Sequence, residues 1–513
     1  MTITQVHKHI AVFTYPAWGH ARPLINLVAR LVKMKVVNVT LLSTDGFYDR
    51  TVAELARSFA PGEEECARRI RVVSVGIASD HSFNAIDESF KSVWQTLVAG
   101  REVICAHSGE RFDPLPKPEA AIIDFFATEP TRIVRKLSGS SIKIYSWVGG
   151  STYALFYLFG PEKLGGPGNV RIKIEEEAQR SGRSFKEVAL DFLFAPRGKV
   201  VRLPGLPPMY DYEFYPQEFP TRDDLAFTIF PRILETLESC DGIFLLTAEA
   251  IEPAAVDAVR RWYAETSRPA YVCGPLLPPS GAHTVENEKK QLKESTEIQE
   301  FLDTTLEGSG ENSLLHISFG STFWPYMAPE KLWALVDIVM ERNIPFILSH
   351  APPMAIVPDE VRLKVKAYGK GVLSPWSPQQ TILQHRATGW FLAHGGHNGV
   401  TESICAGVPF ILWPFHADQP TNVVNVAELL QVGYELLEVR TGHGLHPIFR
   451  NGRKPVGTID VLQAEAREVL AKAYGDDGAE KRRRLQALRT AVLREWEEGG
   501  SAARDVAAFL ESL

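Results

Sequence analysis

Short apolar runs alternate with amphipathic stretches along most of this chain. Residues 9–16 read HIAVFTYP, apolar at both alternating sets of positions, as expected of a parallel strand buried on two faces. A glycine-containing loop follows. Pro23 then opens a predicted helix, with Leu24, Leu27, Val28, Leu31 and Val32 on one face. Further strands are predicted at 39–43, 71–77, 120–124, 142–147 and 242–247, with helical periodicity between several of them. Strand–helix alternation of this kind predicts a doubly wound parallel sheet.

Near residue 274 the composition turns to proline and then to charge, which marks a linker at 276–311. Beyond it the alternation restarts: strands at 313–320, 345–350, 370–376, 389–394 and 409–414, and a helix around 330–342. The economical architecture is two Rossmann-like halves, 1–275 and 312–495, facing a cleft. A last helix at 496–513 is expected to pack back on the first half. In such folds ligands bind at the C-terminal strand ends, where the strand order reverses.

Composition narrows the class. Hydrophobic residues make up 45% and charged residues 23% of 513, ordinary for a globular chain. The net charge of −7 gives no reason to expect a nucleic-acid partner. The basic run 481–484 falls in an amphipathic pattern with Leu485, Leu488, Val492 and Trp496, and reads as a solvated helix face. Five cysteines (66, 105, 240, 273 and 405) are widely spaced, with no Cys-x-x-Cys. That fits a reducing, cytoplasmic setting rather than a disulfide framework. Neither a signal segment nor an apolar stretch long enough to span a bilayer is evident.

The polar chemistry of the second half gathers after strands. Ser321 and Thr322 follow one, Trp376, Ser377 and Gln379 another, His394 to Asn398 a third, and His416 to Gln419 a fourth. Several strands delivering polar groups to one edge is what a site requires. HGGHNG at 394–399 opens a helix, and glycines there let free backbone N–H groups approach a phosphate. Turn chemistry without a ligand is the plainer alternative. A metal set of His394, His397 and Glu402 is a third, disfavoured by N–H groups crowding the loop. No Asp-x-Asp occurs that could hold Mg²⁺ against a diphosphate, and no Gly-x-Gly-x-x-Gly follows the first strand.

The gapless stretch from Trp376 to Gln419, WSPQQTILQH…FLAHGGHNGVTES…GVPFILWPFHADQ, resembles the donor-binding signature of family 1 UDP-dependent glycosyltransferases. SFGS at 318–321, DGIFLLTAEAIEP at 241–253, LPGLPPM at 203–209, VCGPLLP at 272–278 and EGGSAARDVAAFL at 498–510 extend the resemblance over nearly the whole chain. It implies the GT-B fold, a UDP-sugar donor and no metal. By the same resemblance Trp376 stacks on uracil and Ser377 binds its edge. Gln379 and Glu402 take the ribose, a role that suits a carboxylate accepting two hydroxyl protons. His394, Gly396 and Asn398, assisted by Ser321 or Thr322, hold the diphosphate, and Asp418 and Gln419 bond the sugar. A final glutamine suggests glucose. His397 and Gly399 depart from the plant-type pattern, which carries Trp and Ser there, and His397 is a place where donor choice could be biased.

The family's general base is a histidine after the first strand, here His20 in PAWGHARP. A helix starting just beyond it should help keep the imidazole neutral. The carboxylate that orients it is expected at Asp124, with Glu129 as the other possibility, because the usual helix position reads TRIVRKL and has no acid. The implied reaction is inverting transfer to a hydroxyl of a lipophilic, for example phenolic, small molecule. Phe83, Trp94, Phe125, Phe126, Trp147, Met209, Tyr210 and Phe214 suggest an apolar acceptor pocket. A UDP-sugar epimerase and a non-catalytic UDP-sugar-binding protein are the competing readings.

Overall fold

The computed structural model describes residues 7–76, 83–218, 227, 229–277, 295–352 and 355–513. Much of the linker expected at 276–311 lies outside them, as does the side chain of Phe83.

The first sheet contains β1 (Lys8–Phe13), β2 (Val37–Ser43), β3 (Ile70–Ser74), β4 (Ala120–Asp124), β5 (Lys143–Val148), β6 (Gly242–Leu245) and β7 (Ala270–Val272). Its spatial order is β7-β6-β5-β4-β1-β2-β3, and every pairing is parallel. The second contains β8 (Leu314–Ser318), β9 (Phe346–Ser349), β10 (Gly371–Ser374), β11 (Thr388–Ala393), β12 (Phe410–Leu412) and β13 (Gly433–Glu435). Its order is β10-β9-β8-β11-β12-β13, again all parallel. The two doubly wound sheets are those the alternation predicts. β7 and β13 were not foreseen, because three-residue edge strands are too short to carry a period.

Both sheets are covered on two faces. In β1, Ile10 and Val12 enter one apolar cluster while Ala11 and Phe13 enter another. In β11, Trp390 and Leu392 face one cluster, Phe391 and Ala393 the other. Hence these strands read as continuous apolar runs.

The helices that frame the cleft are α1 (Trp18–Met34), α2 (Tyr48–Arg57), α3 (Thr128–Ser138), α4 (Gln379–Gln384), α5 (His397–Ala406) and α6 (Gln419–Val424). Contrary to the sequence reading, α1 begins at Trp18 and carries Pro23 in its interior. Proline there cannot donate to the carbonyl four residues back, that of Gly19. That carbonyl instead accepts a hydrogen bond from Asn398 Nδ2 of the second half, at 2.6 Å.

The C-terminal helix α7 (Ser501–Glu511) lies on the first sheet. Phe509 meets the rings of Tyr145 and Phe244 edge-on, at 4.9 and 5.0 Å between centroids. Among the described residues no helix is long and apolar enough to cross a membrane.

Candidate active site

Strand order reverses between β1 and β4 in the first sheet and between β8 and β11 in the second. Both reversals supply polar groups to the cleft. His20 follows β1 in the first turn of α1, and Asp124 ends β4. His20 Nδ1 lies 3.0 Å from Asp124 Oδ2. Asp124 is fully buried, and its other oxygen accepts the Phe126 N–H at 2.9 Å, so the carboxylate cannot swing away. Glu129, the other acid considered, pairs with Arg132 on the surface of α3.

Packing fixes the imidazole further. Phe125 lies parallel to it at 5.7 Å, and Phe126 is tilted at 4.8 Å. Trp147 Nε1 donates to the His20 carbonyl at 3.1 Å. A side chain at Gly149 would meet His20, its Cβ only 3.1 Å from the His20 Cα. With Nδ1–H given to Asp124, the basic nitrogen is Nε2. Burial is the strongest influence on His20 and pushes its pKa down. The charge and hydrogen bond of Asp124, then the charge of Asp418, outweigh it and leave the pKa above the usual histidine value. The helix-start argument for a neutral imidazole is therefore overridden by two carboxylates.

On the second half, Ser321 is exposed in the turn after β8, and Trp376 is 42% exposed after β10. An open indole on a rim can receive a flat ring. The hydroxyl oxygen of Ser377 is buried beside it without a partner. His394 ends the β11 turn; burial alone takes its pKa down to about 4, and its Nδ1 has no partner. The loop is closed around this ring. Gly320 has φ +77°, and an added Cβ would lie 3.1 Å from His394 Cε1. At Gly396, the N-cap of α5, an added Cβ would lie 2.5 Å from His394 Nε2. His397, the first residue of α5, is 3% exposed with neither ring nitrogen bonded.

Asp418 caps α6. Its Oδ2 accepts the His397 N–H at 3.1 Å and Asn422 Nδ2 at 3.2 Å, and burial raises its pKa. The side-chain oxygen of Gln419 is occupied by the N–H groups of Phe415 and His416, which leaves its amide N–H₂ as the group a ligand could meet. Gln379 Nε2 donates to Glu402 Oε2 at 2.5 Å. Glu402 Oε1 receives Arg22 Nη1, also at 2.5 Å, from across the cleft. Arg22 did not emerge from the sequence as a site residue. It stands two positions after His20, but its partner is 380 positions away, and no local pattern reports such a pairing.

Beside the His20 ring lies a cavity of about 740 Å³. Tyr15 and Phe126, which pack on His20, form its near wall; Ile133 and Ile229 continue it, and Asp87 and Arg232 bring charge. Asp87 is pushed up to about 6, first by burial and then by Glu129 and Glu88. Of the residues proposed for an acceptor pocket, Phe126 lines this cavity. Phe125, Trp94, Trp147, Met209 and Phe214 are core, and Tyr210 stacks on Tyr212. Among the described residues no three His, Cys, Asp or Glu side chains form a group able to hold a metal. His394, His397 and Glu402 make no such set.

A family model described as UDP-glucoronosyl and UDP-glucosyl transferase matches residues 258–438. The UDP-glycosyltransferase eriJ of Hericium erinaceus is 30% identical, with 98% of each chain covered. The (R)-mandelonitrile beta-glucosyltransferase of Prunus dulcis is 27% identical over 85% of this chain and 86% of that one. Among solved structures, Phytolacca americana UGT2 complexed with UDP-2fluoro-glucose and pterostilbene superposes with a TM-score of 0.67 at 21% identity, covering 98% and 99% of the two chains. A UGT from Siraitia grosvenorii in complex with UDP gives 0.67 at 19%, with the same coverage. At that identity the structural likeness establishes the shared GT-B fold.

Proposed function

The chain belongs to the UDP-glucoronosyl and UDP-glucosyl transferase family and is a UDP-glycosyltransferase, and from that premise we propose that it moves glucose from UDP-glucose to a hydroxyl of a lipophilic small molecule, inverting the anomeric centre. The observation that carries this reading is the His20–Asp124 pair, at 3.0 Å, beside a cavity whose near wall is aromatic and whose lining also carries charged side chains. His20 Nε2 takes the proton of the acceptor hydroxyl as its oxygen bonds to the anomeric carbon. The bond from that carbon to the diphosphate oxygen breaks, and UDP leaves with the electron pair. Attack from the face opposite the leaving group inverts the centre. Asp124 orients the ring and stabilises the imidazolium that forms.

The donor assignments follow the cleft. Trp376 and Ser377 receive uracil, and Gln379 and Glu402 the ribose. His394, Asn398, Ser321 and the N–H groups following Gly396 at the start of α5 receive the diphosphate. Asp418 and Gln419 meet the sugar. The charge that develops on the departing diphosphate is assigned to the N-terminus of α5 and to neighbouring polar groups rather than to a metal ion. The names of a mandelonitrile glucosyltransferase and of a pterostilbene complex among the relatives support a small lipophilic acceptor. All five cysteines are unpaired, which supports action in the reducing cytoplasm.

The test is a panel of phenols and alcohols offered with several UDP-sugars, with products read by mass. Wild type should form glucosides, and His20→Ala should lower turnover by about 10²–10⁴-fold. Unchanged turnover in His20→Ala would remove the assigned base. Conversion of UDP-sugar without acceptor would favour an epimerase, and UDP-glucose binding without transfer a binding protein.

A further inference from the structure

Glu402, the carboxylate assigned to the ribose, is held by two groups from opposite sides of the cleft. Gln379 of its own half takes Oε2, and Arg22 of the first half takes Oε1, each at 2.5 Å. Arg22 does not stand alone. Its Nε donates to Glu54 Oε1 at 3.1 Å, and Arg57 Nη1 donates to Glu54 Oε2 at 2.9 Å. Arg57 Nη2 then crosses back to Gln380 Oε1 at 2.9 Å. Gln379 and Gln380 are neighbours on α4. The hydrogen bonds thus form a closed circuit, α4 to α5 to α1 to α2 and back to α4, which crosses between the halves twice.

Charges alternate around this circuit: Glu402, Arg22, Glu54, Arg57. The two carboxylates are 4% and 3% exposed, and buried charges of this kind need hydrogen-bonded partners of opposite sign. Asn26 Nδ2 adds a bond to Glu54 at 3.2 Å, which fixes the far end. Each oxygen of an ionised carboxylate carries two acceptor positions. With one on each occupied by Arg22 and Gln379, one on each is left, enough for the two hydroxyls of a vicinal diol.

We propose that Arg22 is a positioning residue for the nucleotide: by holding Oε1 it keeps Glu402 oriented for the ribose hydroxyls, making the first half of the chain part of the donor site. The proposal rests on the assignment of Glu402 to the ribose. It also gives Arg57 a role, since its bonds to Glu54 and Gln380 tie the carboxylate behind Arg22 to the helix that carries Gln379.

Calorimetric binding of UDP and 2′-deoxy-UDP to wild type, Arg22→Met, Arg22→Lys and Glu402→Gln tests this, with KM for donor and acceptor measured alongside. Loss of one charge-assisted hydrogen bond predicts UDP binding weakened about ten-fold or more in Arg22→Met. Its preference for UDP over 2′-deoxy-UDP should collapse, while the acceptor KM stays unchanged. Arg22→Lys should recover part of both losses, and Arg22→Met in the Glu402→Gln background should add little. Wild-type affinity in Arg22→Met, or equal weakening for both nucleotides, overturns the proposal. Tighter UDP binding also overturns it, because Arg22 would then compete with the diol. Should Arg22→Met not fold, Arg22→Lys decides: an unchanged preference for the 2′-hydroxyl refutes the role. A wild type that binds no UDP would instead sink the functional reading. One that binds both nucleotides equally would sink the ribose role of Glu402, and Arg22's with it.

Discussion

His20 carries opposing demands at the scale of a single residue. In the proposed role of base it must be neutral, yet Asp124 and Asp418 raise its pKa against the effect of burial. The sign of the pH effect follows. Activity should fall as pH drops through the raised His20 pKa, so the acid limb of kcat/KM lies above the ordinary histidine value of about 6.5. Asp124→Asn removes the stronger of the two carboxylates, so the limb should move to lower pH and turnover should drop. A pH–rate profile of both proteins checks this, and an unmoved limb would mean that another group titrates. Identifying His20 from sequence required only a motif. The sequence also preferred Asp124 to Glu129; the fold brings it to His20, because the separation of 104 positions is closed by the pairing of β1 with β4.

At the scale of elements, the β11–α5 turn works by omission of side chains. Gly396 has φ −63°, which any residue can adopt, so its identity is set by space rather than by backbone conformation. Gly396→Ala would push a methyl into the half-buried His394 ring. We expect a stability loss of about 1–3 kcal/mol, the usual cost of overpacking, with UDP binding weakened at the same time. Chemical denaturation and calorimetry check the two effects, and an unchanged UDP affinity would show that His394 can shift at no cost to the site. Sequence periodicity located β11 and the helix after it because both are long or strongly apolar. It misplaced the start of α1, since Pro23 is a common helix opener and nothing local reveals that Asn398 serves the carbonyl it leaves unbonded.

The whole molecule is tied together at its C-terminal end as well as across the cleft. After the second sheet the chain returns to the first. There Trp496 Nε1 donates to the Pro275 carbonyl at 2.8 Å, and the Arg30 guanidinium lies 4.1 Å from its ring centre. Asp505 accepts from Arg260 and from the Val272 N–H, which secures the edge strand β7. Phe509→Ala should therefore destabilise the first half by about 3–5 kcal/mol. Urea unfolding measures the loss, and UDP affinity below the transition should be unaffected. A loss under about 1 kcal/mol would mean that α7 adds little to the first sheet.

The sequence by itself determined the two parallel sheets, because two-faced burial forces continuous apolar runs, and it marked the loop at 394–399, because free N–H groups at a glycine-rich helix start suit an anion. It also singled out His20, Glu402 and Asn398. What only the tertiary structure decided was which groups Glu402 and Asn398 meet. Arg22 reaches Glu402, and Asn398 reaches the Gly19 carbonyl, each through contacts that depend on chain segments far apart in sequence. Side-chain periodicity records whether a residue faces a core. It carries no record of which distant partner completes a charge or a hydrogen bond, and in this protein those completions join the two halves.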